Sequence, residues 1–282
     1  MKKILLILSL IIAVINLNAQ IGAAFKVEVS GKGAPIILIP GYSCSGEVWQ
    51  ETVEHLKKSY ECHVITIAGY AGVPPVDTPI LQTVKNELIA YVKSQKLDKP
   101  VLIGHSLGAF ISLWVSSEQP GLFGKIICVD GLPFLSAISN PNANADSLKK
   151  DPQFDAEMLV RYFENIPDSG YIEQITSAML WQVTDTVRAK QIAGWNYKGD
   201  RKSLALSLLE ISTTDLRNDI ASIEQPVLVL GSIYQTKANS FKSLEEQYKN
   251  VRNKTIHVAD SKHFIMYDAP VWMYNEIDNF LK

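Results

Sequence analysis

Gly104-His105-Ser106-Leu107-Gly108 sets a serine between two glycines at a spacing that lets the chain turn sharply beneath it. A serine hydroxyl is a poor nucleophile until a base removes its proton, so the serine matters only if the fold exposes it and brings a base to it. The pentapeptide alone is a weak signal. Its flanks strengthen it: the apolar run 101–103 leads straight in, and a helical pattern over 109–115 leads straight out. Strand, tight turn and helix form the context that lifts a serine to the end of a sheet, with the helix N-terminus pointing at its hydroxyl.

Five histidines are available as the base. His55 falls in a helix-like stretch, His63 starts an apolar run, His257 lies within the last such run, and His105 is inside the turn, facing away from Ser106. His263 follows the last strand-like run, in Asp260-Ser261-Lys262-His263-Phe264, ahead of a closing helix. Ligands of open parallel sheets sit beyond the carboxyl ends of the strands. Ser106 and His263 both fall at such ends, which makes His263 the best base.

Those ends exist only if the rest of the chain builds the sheet. Apolar, β-branched runs at 35–40, 63–67, 101–104, 125–130, 226–230 and 255–258 have the length of buried parallel strands, and 25–29 predicts a further strand at the sheet edge. Helix-like stretches at 48–59, 80–95, 107–118, 240–250 and 271–281 lie between them. Alternation of this kind predicts an α/β fold, a mostly parallel sheet with helices on both faces. From 132 to 223 no strand is apparent. Helical spacing of Phe154, Met158, Leu159, Tyr162, Phe163 and Ile166, then stretches 171–183, 186–195 and 202–211, predict a helical insertion. The expected organisation is a core of 20–131 and 224–282 with a cap of 132–223, whose aromatics Trp181, Trp195 and Tyr197 are placed to cover a cleft.

Lys2 and Lys3 precede an apolar run over 4–15 broken only by Ser9, and Ala19 closes the segment. A basic start, a short apolar stretch and a small residue read as a secretory signal over 1–19, predicting a periplasmic or extracellular protein. The run falls short of the ~20 residues that span a bilayer, so no stable membrane anchor is expected once the signal is removed. Composition excludes disorder, collagen and a multi-span membrane protein. The 282 residues carry 27 basic and 29 acidic side chains without a basic stretch, which argues against a nucleic-acid partner. Three cysteines, Cys44, Cys62 and Cys128, are too few for a disulfide framework and read as buried small hydrophobes. Neither H-E-x-x-H, C-x-x-C nor an early G-x-G-x-x-G occurs, so neither a metal nor a dinucleotide is expected.

Three blocks together resemble the α/β-hydrolase family in its capped branch, over about 25–281. Ile37-Leu38-Ile39-Pro40-Gly41-Tyr42 with Trp49 is similar to the family's first core strand and following loop. Residues 104–109 resemble its nucleophile elbow. His263-Phe264, Pro270 and the ending Asn279-Phe280-Leu281 resemble its histidine block. The resemblance implies that the N–H groups of Tyr42 and Leu107 form an oxyanion hole. Pro40 stands where the family usually has histidine, and Ala109 where it usually has glycine. Tyr234 stands at the family's common acid position, after Gly231. Some members instead place the acid after the strand that follows the elbow, and here that residue is Asp130. Asp260 and Asp268, flanking His263, are the other carboxylates considered for the role.

The resulting expectation is a cofactor-free serine hydrolase acting on a small-molecule acyl substrate, an ester with an apolar part, through Ser106, His263 and Asp130. Amide, lactone or C–C hydrolysis would use the same residues. The alternative class is a ligand-binding or signalling module on this fold with little turnover, against which the Ser–His pair weighs.

Overall fold

A computed structural model describes residues 20–21 and 24–282; the predicted signal segment 1–19 lies outside the described residues. The strands are β1 (Gln20–Ile21), β2 (Phe25–Gly31), β3 (Ala34–Ile39), β4 (Tyr60–Ile67), β5 (Val101–His105), β6 (Ile126–Val129), β7 (Val227–Gly231) and β8 (Lys254–Val258). They form one sheet in the order β1-β2-β4-β3-β5-β6-β7-β8. β3 to β8 run parallel to their neighbours, whereas β2 pairs antiparallel with β4 and β1 antiparallel with β2.

Parallel strands need crossovers, and helices supply them. They are α1 (Gln50–Leu56), α2 (Ile80–Ser94) and α3 (Leu107–Glu118), and after β6 α4 (Ala145–Leu148), α5 (Ala156–Glu164), α6 (Tyr171–Met179), α7 (Thr186–Tyr197) and α8 (Arg201–Thr213). Between β7 and β8 lies α9 (Lys237–Gln247), and α10 (Ile265–Asp268) and α11 (Pro270–Leu281) close the chain. Side chains alternate across a strand, so each core strand feeds two apolar layers. Ile37, Ile39, Leu102 and Val229 pack with Val84, Leu88 and Phe110 of α2 and α3. Ile36, Leu38, Ile103 and Leu228 pack with Trp49 and with Met273 and Ile277 of α11. Each such fully buried aliphatic side chain contributes about 1.5–3 kcal/mol relative to exposure, which is why the central runs are apolar on both faces.

The differences from the sequence-based expectation are local. The strand expected at the edge is β2, and the edge itself is the two-residue β1, too short to show a period. The stretch expected as one helix over 48–59 divides into a 3-10 turn, Gly46–Trp49, and α1, because Ser45 caps the turn through the Glu47 N–H. α9 starts three residues before the expected 240, where the Thr236 hydroxyl accepts from Asn239 N–H. Cys44, Cys62 and Cys128 are all buried and free. Among the described residues no helix is long and apolar enough to cross a membrane.

The helices between β6 and β7 are tied to the core by polar contacts that hydrophobic spacing does not reveal. Glu210 of α8 accepts from the N–H groups of Ile80 at 2.7 Å and Leu81 at 2.8 Å, capping α2 from another element. Burial raises the Glu210 pKa, while those N–H groups oppose the rise. The Tyr70 hydroxyl donates to Ser207 at 2.7 Å in the same interface.

Candidate active site

Ser106 sits between β5 and α3 with φ 52° and ψ −113°. A positive φ is costly for a residue with a Cβ, and such strain persists only where the surroundings hold it. Here the flanking glycines make the turn fit. A Cβ on Gly104 would lie 2.2 Å from the Gly108 backbone, and one on Gly108 would lie 2.1 Å from the Ile39 carbonyl oxygen. The two glycines therefore let β5, α3 and the end of β3 approach closely beneath the serine. The Ser106 carbonyl accepts from the N–H groups of Ala109 and Phe110, starting α3, while Ser106 N–H extends the sheet ladder to Val129.

Asp130 also has positive φ, 45°, directly after β6. Its N–H donates to the Leu230 carbonyl at 2.7 Å, which fixes its backbone against β7. Its carboxylate collects three donors. His263 Nδ1 lies 2.6 Å from Oδ2, Ser232 Oγ donates to Oδ2 at 2.8 Å, and Ser232 N–H donates to Oδ1 at 2.7 Å. A carboxylate in this contact fixes the imidazole tautomer with its proton on Nδ1, leaving Nε2 free to accept. The side chains of His263 and Asp130 remain 26% and 18% exposed, so the pair opens onto solvent rather than being sealed in the core.

His105, inside the turn, is wholly buried and has a separate contact with His263: its Nε2–H donates to the His263 carbonyl at 3.1 Å. The two rings lie 4.5 Å apart. Burial, then the neighbouring His263, hold the His105 pKa well below its usual value, so this ring is neutral.

Leu107 N–H opens α3, and Tyr42 N–H belongs to the loop after β3. Neither donates a hydrogen bond to another group among the described residues. The Tyr42 side chain points elsewhere, its hydroxyl donating to the Leu204 carbonyl of α8 at 2.9 Å. Burial pushes that phenol well above its ordinary pKa.

Ser106, Asp130, His263, Tyr42 and Leu107 all line one cavity of about 590 Å³. Its remaining wall is largely apolar: Leu132, Leu135, Met179, Ile192, Leu208 and Ile211 come mainly from the connection between β6 and β7. Trp181 and Tyr234 stand at its exposed rim. Trp195, expected as a cleft cover, is instead buried among core side chains. Tyr234, at the family's common acid position, lines the cavity, and its polar contacts run through its backbone, whose N–H donates to Ser240 Oγ at 2.6 Å.

The other carboxylates near His263 are placed differently. Asp268 accepts from Thr184 N–H, Thr184 Oγ–H and Lys262 N–H. Asp260 makes no side-chain hydrogen bond or ion pair among the described residues. Ser232, which holds the Asp130 carboxylate, is the site residue that sequence reasoning missed. Its position directly after Gly231, in the loop beyond β7, was the available signal. Among the described residues no group of three or more His, Cys, Asp or Glu side chains is arranged to hold a metal ion.

The signature of the Alpha/beta hydrolase family matches residues 36–276. A pimeloyl-[acyl-carrier protein] methyl ester esterase of Aliivibrio fischeri (strain MJ11) is 23% identical over 207 residues, covering 71% of this chain and 75% of its own. The corresponding esterase of Vibrio atlanticus (strain LGP32) is 25% identical over 204 residues, covering 72% and 77%. Among solved structures, an enol-lactonase from Burkholderia xenovorans LB400 superposes with a TM-score of 0.75 at 13% identity, covering 92% of this chain and 98% of that one. A thermophilic esterase from Thermogutta terrifontis gives 0.73 at 18% identity, covering 91% and 92%. With the family signature running from β3 into α11, the chain belongs to the alpha/beta hydrolase family.

Proposed function

We propose that this protein is a serine hydrolase that cleaves carboxylic esters, with Ser106 as nucleophile, His263 as general base and acid, and Asp130 as the residue that orients the imidazole. The observation that carries the reading is the 2.6 Å contact of Asp130 with His263 Nδ1, in the wall of the cavity that Ser106 also lines. His263 Nε2 takes the Ser106 proton as Oγ attacks the ester carbonyl carbon. The carbonyl oxygen gains the negative charge, and the unengaged N–H groups of Tyr42 and Leu107 receive it. Collapse breaks the carbonyl carbon–alkoxy oxygen bond, and His263 returns the proton to the departing alcohol. Water, deprotonated by the same nitrogen, then attacks the acyl-enzyme, and the free acid leaves as Ser106 recovers its proton. Every proton removed is returned, and the scheme calls for no cofactor.

Two observations support an ester with an apolar part. The curated relatives described above are named as methyl ester esterases. The cavity wall is built mainly from aliphatic side chains, which favour burial of an acyl or alcohol chain at about 25 cal/mol per Å² of apolar surface. The test is a series of p-nitrophenyl esters of increasing acyl length, assayed with the purified protein and with Ser106→Ala. Turnover that needs Ser106 and rises from acetate to longer acyl chains is expected. Turnover unaffected by Ser106→Ala would defeat the proposal. We further propose, from Lys2, Lys3 and the apolar run behind them, that the enzyme acts outside the cytoplasm.

A further inference from the structure

The loop joining α6 to α7, residues 180–184, touches the histidine loop on both sides of His263. Before the histidine, Lys262 Nζ donates to the Leu180 carbonyl at 2.6 Å, where its charge meets the C-terminal end of α6. After it, Phe264 N–H donates to the Gln182 carbonyl at 3.1 Å. Asp268 closes the arrangement. Its carboxylate accepts Thr184 N–H at 2.9 Å, Thr184 Oγ–H at 3.1 Å and Lys262 N–H at 3.2 Å. Val183 is wholly buried and packs in the same cluster as Phe264 and Met266, which roots the loop on the core. His105 Nε2–H holds the His263 carbonyl itself, at 3.1 Å.

We infer that residues 180–184 form a strap that fixes the backbone of His263 from the insertion side, and that Asp268 is the positioning residue that joins strap and histidine loop. The inference rests on reading His263 as the base. Three hydrogens converge on the Asp268 carboxylate, so the position requires a group that only accepts. An asparagine there turns an N–H₂ group toward a donor and loses at least one of the three bonds. The same strap carries Trp181 and Gln182 into the cavity wall. The segment that frames the substrate therefore also sets the angle of the imidazole. Catalytic groups need placement within a fraction of an ångström, and a misplacement of about 1 Å costs about 10²-fold.

The test compares Asp268→Asn with the wild type by two readouts. In proton NMR, the His263 Nδ1–H donated to Asp130 should give a protected low-field resonance, assigned by its loss in Asp130→Asn. Asp268→Asn should broaden that resonance through faster exchange. It should also lower kcat by about 10- to 100-fold, with KM for a short-chain ester within about 3-fold. Thr184→Val, at an exposed position that keeps its backbone N–H, should shift both readouts the same way by less, and Thr184→Ser should restore them. A protected resonance and wild-type kcat in Asp268→Asn, with only the melting temperature lowered, would overturn the inference, as would absence of the resonance from the wild type. If the resonance responds as expected but the wild type hydrolyses no ester, the strap stands and the proposed reaction fails.

Discussion

Asp130 and His263 meet at 2.6 Å although β7 lies between the strands that carry them. Asp130 follows β6 and His263 follows β8, and the intervening loop after β7 sends Ser232 to bind the same carboxylate. The acid therefore reaches across one strand and is held from it. An acid in this place does not touch substrate; it keeps the proton on Nδ1 and stabilises the imidazolium. Asp130→Asn nearly preserves shape but favours the wrong tautomer. It should lower kcat by about 10³- to 10⁴-fold and leave KM within a few fold, measured by steady-state ester hydrolysis. A near-neutral Asp130→Asn would move the orienting role to another group or leave Ser106 and His263 as a dyad.

The Tyr42 side chain is not the part of that residue that faces the chemistry. Its hydroxyl is spent on the Leu204 carbonyl, and in the proposed mechanism only its N–H receives the developing charge. Tyr42→Phe removes one donor from that carbonyl, which Ser207 Oγ–H still reaches at 3.3 Å, and should cost about 0.5–1.5 kcal/mol in denaturant unfolding. It should change kcat by less than about 3-fold, because the backbone donor survives. A loss of several hundred-fold at unchanged stability would show that the phenol itself takes part.

Much of this architecture is readable from periodicity, because buried parallel strands must be apolar on both faces. The pattern at 107–118 coincides with α3, since a buried helix behind a strained turn has both a sharp start and a continuous apolar content. β1 is too short for any pattern, and the start of α9 depends on a cap rather than on spacing. Ser106, Asp130 and His263 are visible because each directly follows a strand or lies in the loop just beyond one. Ser232 shares that placement, but its use as a donor shows only once its carboxylate partner is seen. Contacts such as Glu210 on the start of α2 and Asp268 on the strap join residues far apart in sequence, and no local rule exposes them.

Two buried histidines make stability depend on pH. Burial lowers the pKa of His105, with His263 adding to the effect, and burial lowers that of His63 despite its contact with Glu61. Below 6.5, the ordinary value, the unfolded chain binds protons that the native state refuses. Stability from these groups is thus fully present above 6.5 and is lost as pH falls toward the native values. The unfolding free energy should decline by up to about 1.4 kcal/mol per pH unit for each histidine that stays neutral, followed by urea titration. Glu210, whose native pKa is raised, works in the opposite sense nearer its ordinary value of 4.5. Stability that is flat or rises as pH drops through the unit below 6.5 would contradict this account of the two histidines.

Export is tested at the protein's own N-terminus. Protein recovered from the cell envelope or medium should begin near Gln20 on N-terminal sequencing. Recovery of the intact Met1 end in the cytoplasm would remove the basis for placing the enzyme outside.

The most direct measurement of the central claim is covalent labelling of the folded protein by a fluorophosphonate, read by intact mass and peptide mapping. The probe reports nucleophilic activation without requiring the natural substrate. One adduct per chain is expected, on the peptide that contains Ser106, formed quickly by the wild type and very slowly by His263→Ala, and absent from Ser106→Ala. An adduct that persists in Ser106→Ala, or a wild type that takes no label while folded, would contradict the assignment of Ser106 as a nucleophile activated by His263.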